Sequence, residues 1–123
     1  MSRADYSGME KAKTFIVVEI IEYVPNSVVI KTIIRKTTGN VSAVSFDSGE
    51  SLAHRLVPFD TYIQIIEGKA EIVIGEEVNN LNTGQSIIVP ANVPNTINAN
   101  ERFKMISTVI KSGYDDIPDM SLL

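Results

Sequence analysis

The groups able to do chemistry in this chain are few: one histidine, His54, no cysteine, and three carboxylates grouped as Asp115, Asp116 and Asp119 near the C-terminus. On a regular strand His54 points away from its neighbour Arg55, so a surface imidazole is expected. Only a local bulge turning His54 inward would let it form a weak metal or acid–base pair with Asp60. The three C-terminal acids have a cation-binding spacing but read first as a solvated end. Without cysteine there is no disulfide framework, thiolate nucleophile or thiolate-bound metal. No nucleophile can be matched to a base, and no buried carboxylate pair can be assembled, so a complete catalytic set is not legible.

The background chemistry narrows the partners. Formal net charge is -4 with a pI near 4.9, the wrong sign for a phosphate backbone, and no Lys/Arg stripe runs along the chain, so nucleic acid is not expected as a partner. The most apolar run, Phe15 to Val24, is broken by Glu19 and Glu22 and falls short of the ~20 residues that span a bilayer. Met1 to Lys13 is polar and is followed by no small-residue cleavage site, unlike a signal peptide. No membrane partner and a cytoplasmic location are therefore expected. A length of 123 residues and a hydrophobic content of 44% fit one packed domain with one core.

The elements that must position these groups are short and β-branched. Val28 to Arg35, Val41 to Phe46, Tyr62 to Ile66, Ala70 to Ile74, Ser86 to Val89, Thr96 to Ala99 and Phe103 to Lys111 read as strands. They are separated by turn chemistry at Thr38-Gly39-Asn40, Asp47-Ser48-Gly49, Glu67-Gly68-Lys69, Asn79-Asn80, Thr83-Gly84 and Asn98 to Glu101. Such regular punctuation predicts an all-β barrel or sandwich. Phe15 to Val24 fits either a strand or a short helical turn ended by Pro25. Ile63 to Ile66 and Ile87 to Val89 are apolar on both faces, which predicts that the outer face is covered by another layer or a partner chain. Residues 1–13 read as a flexible lead-in, 14–111 as the domain, and 112–123 as an acidic tail.

The stretch from Gly49 through His54, Arg55, Val57 and Thr61 to Gly68 resembles the first cupin motif, G-x5-H-x-H-x3-E-x6-G, with both glycines in place. Gly84 to Asn95 resembles the second motif, G-x5-P-x-G-x2-H-x3-N, with Gly84 and Pro90 in register. The resemblance spans residues 28–111 and implies an antiparallel double-stranded β-helix, the cupin jelly-roll barrel. It also implies where a metal would sit. The two first-motif histidines fall on Arg55 and Val57, the glutamate on Thr61 and the second-motif histidine on Asn95; the second-motif glycine is Asn92 and its asparagine Ala99.

A guanidinium repels a divalent cation and an isopropyl group has no lone pair, so no metal and no other cofactor is expected. Arg55, Val57, Thr61, Ile63, Asn95, Ile97, Phe103 and Met105 are the cavity candidates, although the five apolar residues, Val57, Ile63, Ile97, Phe103 and Met105, serve equally as plain core. The expected function is a metal-independent cupin that binds a small organic anion without turnover, or acts as a structural or regulatory homodimer. The alternative is a small cupin enzyme, an isomerase or dioxygenase, with an atypical site.

Overall fold

The computed structural model describes residues 2–5 and 8–114; the acidic cluster Asp115, Asp116 and Asp119 lies outside them. Ten strands are present: β1 (Ser2–Asp5), β2 (Val28–Lys36), β3 (Gly39–Phe46), β4 (Ser51–Arg55), β5 (Asp60–Glu67), β6 (Lys69–Ile74), β7 (Glu77–Asn82), β8 (Ser86–Val89), β9 (Asn95–Asn98) and β10 (Phe103–Ile110). They form two sheets, ordered β1-β2-β3-β10-β5-β8 and β4-β9-β6-β7. From β3 to β10 the chain passes from one sheet to the other at every step except the β6–β7 hairpin, which is the double-stranded β-helix expected from the sequence. Every described pairing is antiparallel except β1 with β2, which is parallel and places the lead-in on the sheet edge.

Alternation builds the core. Ile63 and Ile65 of β5, Ala70 and Ile72 of β6, Ile97 of β9, and Val44 and Phe46 of β3 all turn inward to one cluster with Phe103 and Met105 of β10. Phe46 and Phe103 stack with ring centroids 4.5 Å apart and mark one end of the barrel. There Gly68 holds φ +88, and a side-chain carbon on it would lie 2.7 Å from the carbonyl oxygen of Arg102.

Phe15 to Val24 resolves as a single 3-10 turn, Val17–Glu19, followed by irregular chain. It lies on the outer face of the larger sheet. The Lys104 ammonium donates to the Val18 carbonyl at 2.7 Å, the Ser45 hydroxyl donates to the Glu22 carbonyl at 2.9 Å, and Ile21 is buried. The covering layer required by two-faced apolar strands is thus partly the chain's own segment ahead of β2, while Tyr62 and Ile88, paired across β5 and β8, stay exposed.

Two turn assignments need correcting. The reversal between β6 and β7 is at Gly75-Glu76, and Asn79-Asn80 lie inside β7. The reversal between β2 and β3 is at Thr37-Thr38, with Gly39 and Asn40 already in β3.

Candidate functional site

The end of the barrel opposite the stacked phenylalanines is where β4 ends and β9 begins. In the β4–β9 ladder Leu52 faces Ile97, but the next pair is Arg55 with Asn95: three steps on one strand answer two on the other. The extra residue is absorbed at His54, whose φ of +55 is left-handed and whose amide donates to the Thr96 hydroxyl at 3.2 Å. The bulge therefore acts on the residue after the histidine. Strict alternation from the inward Leu52 would have put His54 inside and Arg55 outside; the insertion leaves His54 exposed and brings Arg55 to the inner face beside buried Asn95.

These two side chains carry unspent capacity. Among the described residues the Arg55 guanidinium is half-buried, with no hydrogen bond or ion pair, and loss of solvent lowers its pKa from the ordinary arginine value. Asn95 is 5% exposed; its amide nitrogen donates to the Val93 carbonyl at 3.3 Å, while its Oδ1 is buried with no donor facing it. A buried acceptor left bare costs on the order of 1–3 kcal/mol. An unmet donor array beside an unmet acceptor is a demand for a ligand that offers both an anion and a hydroxyl or N–H.

The rim is held by contacts between loops. The Asn92 amide donates to the Val57 carbonyl at 2.8 Å, and the Ala91 amide to Asp60 Oδ1 at 2.8 Å. Asn92 holds φ +62, the conformation a glycine supplies at that motif position and which asparagine tolerates better than most residues. Tyr114 packs its ring against Phe59, accepts from the Asp60 amide at 2.6 Å, and donates to the Ile110 carbonyl. Nothing in the spacing of the sequence pointed to Tyr114, which sits in the segment read as tail.

Of the other candidates, Val57 is half-buried beside the rim and Thr61 is buried at the mouth end of β5, opposite Val89 and Val109. Ile63 and Ile97 are wholly buried deeper in the barrel. Phe103 pairs with Phe46, six residues along β10 from the partner of Thr61 and so about 20 Å away at strand rise; Met105 is also in that deeper core. The structure brings Arg55, Asn95, Val57 and Thr61 to one end, and places Phe103 at the other.

A cupin barrel implies a metal at the positions of Arg55, Val57, Thr61 and Asn95. A cation, an isopropyl group, a hydroxyl and an amide do not make a donor set for a divalent ion, and no three His, Asp or Glu side chains converge among the described residues. The residues do not fit the group, and no step is derived through one.

No protein-family model matches the chain, and no curated protein matches it in sequence. Solved structures do. A conserved protein of unknown function from Streptococcus pyogenes superposes with a TM-score of 0.81 at 26% identity, covering 86% of this chain and 93% of that one. A cupin superfamily protein from Desulfitobacterium hafniense gives 0.79 at 24% identity over 85% of this chain and 96% of its own. A salicylate 1,2-dioxygenase from Pseudoaminobacter salicylatoxidans gives 0.57 at 25% identity over 59% of this chain but only 21% of that enzyme. Strand order, motif glycines at their turns and these neighbours agree: the chain has the fold of a small cupin barrel.

Proposed function

We propose that the barrel mouth binds a small hydroxy-carboxylate, of the sugar-acid or aromatic hydroxy-acid type, without turning it over. The observation that carries this reading is the pairing of an unpartnered guanidinium at Arg55 with an unpartnered buried acceptor at Asn95 Oδ1. A carboxylate meets the planar fork of Arg55 bidentately, and a neighbouring hydroxyl of the same molecule donates to Asn95 Oδ1. Thr61, buried at the same end, and half-buried Val57 supply an orienting hydroxyl and an apolar wall. The salicylate enzyme among the neighbours is named for a molecule of this chemistry, a carboxylate beside a hydroxyl. Turnover is not part of the reading, because among the described residues no nucleophile is paired with a base and no metal-ligand set converges, and the rim carboxylate Asp60 already accepts from the Ala91 amide. Assembly as a two-fold pair through the open part of the outer face, around Tyr62 and Ile88, accompanies it.

The test is calorimetry with salicylate, glucuronate and their deoxy analogues lacking the neighbouring hydroxyl, on the wild type, Arg55→Ala and Asn95→Asp. Loss of a charge-assisted contact of about 1.5–3 kcal/mol weakens binding by about one to two orders of magnitude in Arg55→Ala. Benzoate binds wild type more weakly than salicylate does, and Asn95→Asp repels both. Equal binding to all three proteins would make Arg55 a structural residue and remove the anion site.

A further inference from the structure

The inner face of the larger sheet changes character along its length. At the closed end Val28, Phe46 and Phe103 face one another across β2, β3 and β10, and the next inward rung is Ile30, Val44 and Met105. The rung after that is Thr32, Ser42 and Ser107. Residues two apart along a strand share one side of the sheet, so this third rung looks into the same interior as the two apolar ones. Its neighbour on β5 is Ile63, wholly buried, and Thr61 lies one inward rung, about 7 Å of strand rise, nearer the mouth.

Thr32 is 4% exposed and Ser42 9%, yet among the described residues neither hydroxyl, nor that of Ser107, makes a hydrogen bond to the others or elsewhere in the chain. Ser107 is only half-buried although it sits between buried Ser42 and Ile63, so interior space reaches this rung from the mouth. Valine or isoleucine would suit a dry core here, whereas an inward hydroxyl without a partner costs stability. Side chains directly opposite on antiparallel strands stand about 5 Å apart, so the three hydroxyls form a row across the sheet. Hydroxyls a few carbons apart on one extended chain match such a row. The two sheets stack about 10 Å apart, which puts the row on the wall facing Arg55 and Asn95, within the length of a short carbon chain. The bare Asn95 Oδ1 at the same end is an independent sign of the same demand.

We propose that the hydroxyl rung Thr32, Ser42 and Ser107 belongs to the mouth site and selects a linear polyhydroxy acid over short or aromatic hydroxy acids. This rests on the carboxylate reading of Arg55 and narrows it. The carboxylate is held on the smaller sheet, and hydroxyls further along the ligand exchange hydrogen bonds with the rung on the larger one. A hydroxyl both donates and accepts, so each rung member can answer a polyol whichever way the ligand's O–H turns. A wall built to hydrogen-bond hydroxyls discriminates strongly against an analogue lacking them, because its own polar groups are then left unpaired.

The experiment is calorimetry of the full chain with gluconate, 2-hydroxyhexanoate, glycolate and salicylate. The analogue 2-hydroxyhexanoate keeps the carbon length of gluconate and the hydroxyl beside its carboxylate but none of the further hydroxyls, so it tests the rung with the protein unaltered. The expected result is gluconate binding about tenfold or more tighter than 2-hydroxyhexanoate and glycolate. Ser42→Ala/Ser107→Ala weakens gluconate by about tenfold and leaves glycolate and salicylate as in the wild type, while Arg55→Ala weakens all of them. Equal affinities for gluconate and 2-hydroxyhexanoate overturn the proposal. So does a double variant that binds gluconate as the wild type does, or that loses gluconate and glycolate alike. If Arg55→Ala still weakens glycolate in those cases, the anion site stands and only the rung falls; if it leaves glycolate and salicylate unchanged, the anion site falls and the selection with it.

Discussion

Arg102 and Arg55 stand at opposite ends of the barrel and live in opposite circumstances. Arg102 donates to Asp47 at 3.3 Å and lies 4.6 Å from the centre of the Tyr23 ring. Tyr23 in turn donates to Glu67 at 2.6 Å, Glu67 lies 3.8 Å from the Lys104 ammonium, and Asp47 also accepts from the Asn26 amide at 2.8 Å. Burial first, then the bond to Glu67, pushes the Tyr23 phenol well above its ordinary value, so it remains a donor. At this closed end Asp47, Glu67, Arg102 and Lys104 are answered from within the chain, and the network fastens residues 18–26 to the barrel. At the mouth a guanidinium and an amide oxygen face inward unanswered. One end is organised to hold the fold together, the other to receive something the fold does not contain.

The comparison is easiest to break at the closed end. Phe103→Ala removes a fully buried ring from the stack with Phe46 and should cost about 3–5 kcal/mol in urea unfolding, with the barrel's strand content recovered on refolding. A loss below about 1 kcal/mol would mean that this end is not the packed one. Lys104→Met keeps the stem but abandons the Val18 carbonyl and the neighbouring Glu67. A loss of about 1.5–3 kcal/mol is expected, with faster amide exchange in residues 15–22 as the strap loosens.

Arg55→Met sharpens the contrast from the other side. Removing a half-buried charge that has no partner should raise stability by about 1 kcal/mol while weakening hydroxy-acid binding by about one to two orders of magnitude. A destabilised Arg55→Met would show that the guanidinium supports the mouth. The smallest effect is a pH dependence at Asp47. Its pKa is lowered, chiefly by bonds from the Asn26 and Ser48 amides. A depressed carboxyl contributes stability above the unfolded-state carboxylate pKa and loses it as pH falls through the folded value. Asp47→Asn should therefore flatten slightly the acid limb of a pH–stability curve, and the limb should stay unchanged in Arg55→Met.

The fold was largely readable because its turns and centre are chemically distinctive. Gly49, Gly68, Gly84 and Pro90 fall at the expected connections, and the buried strands β5, β6 and β10 carry dense β-branched runs. The strands that escaped the reading of the core sequence, β4 and β7, are the two edges of the smaller sheet. Edge strands bury little: only Leu81 of β7 is fully inside, and Asn79 spends its amide on the Ile72 carbonyl rather than on a turn. Apolar alternation is therefore faint where these strands run. Gly39 was read as part of a reversal, yet it is needed inside β3 because a side-chain carbon there would lie 2.5 Å from the Val109 carbonyl oxygen. At the mouth the motif register located Arg55 and Asn95, but the bare Oδ1 and the Tyr114 clasp depend on three-dimensional neighbours and leave no trace in spacing.

The left-handed step at His54 has a consequence for how this chain can vary. It divides β4 into two stretches whose inside and outside run out of phase, one anchored by Leu52 against Ile97 and the other by Arg55 against Asn95. Straightening that step without changing the chain length would set His54 opposite Asn95 and turn Arg55 outward, exchanging guanidinium for imidazole at the mouth while Leu52 keeps its place against the core. The site's chemistry thus hangs on the backbone conformation of one residue, and the disturbance of changing it stops at the rim.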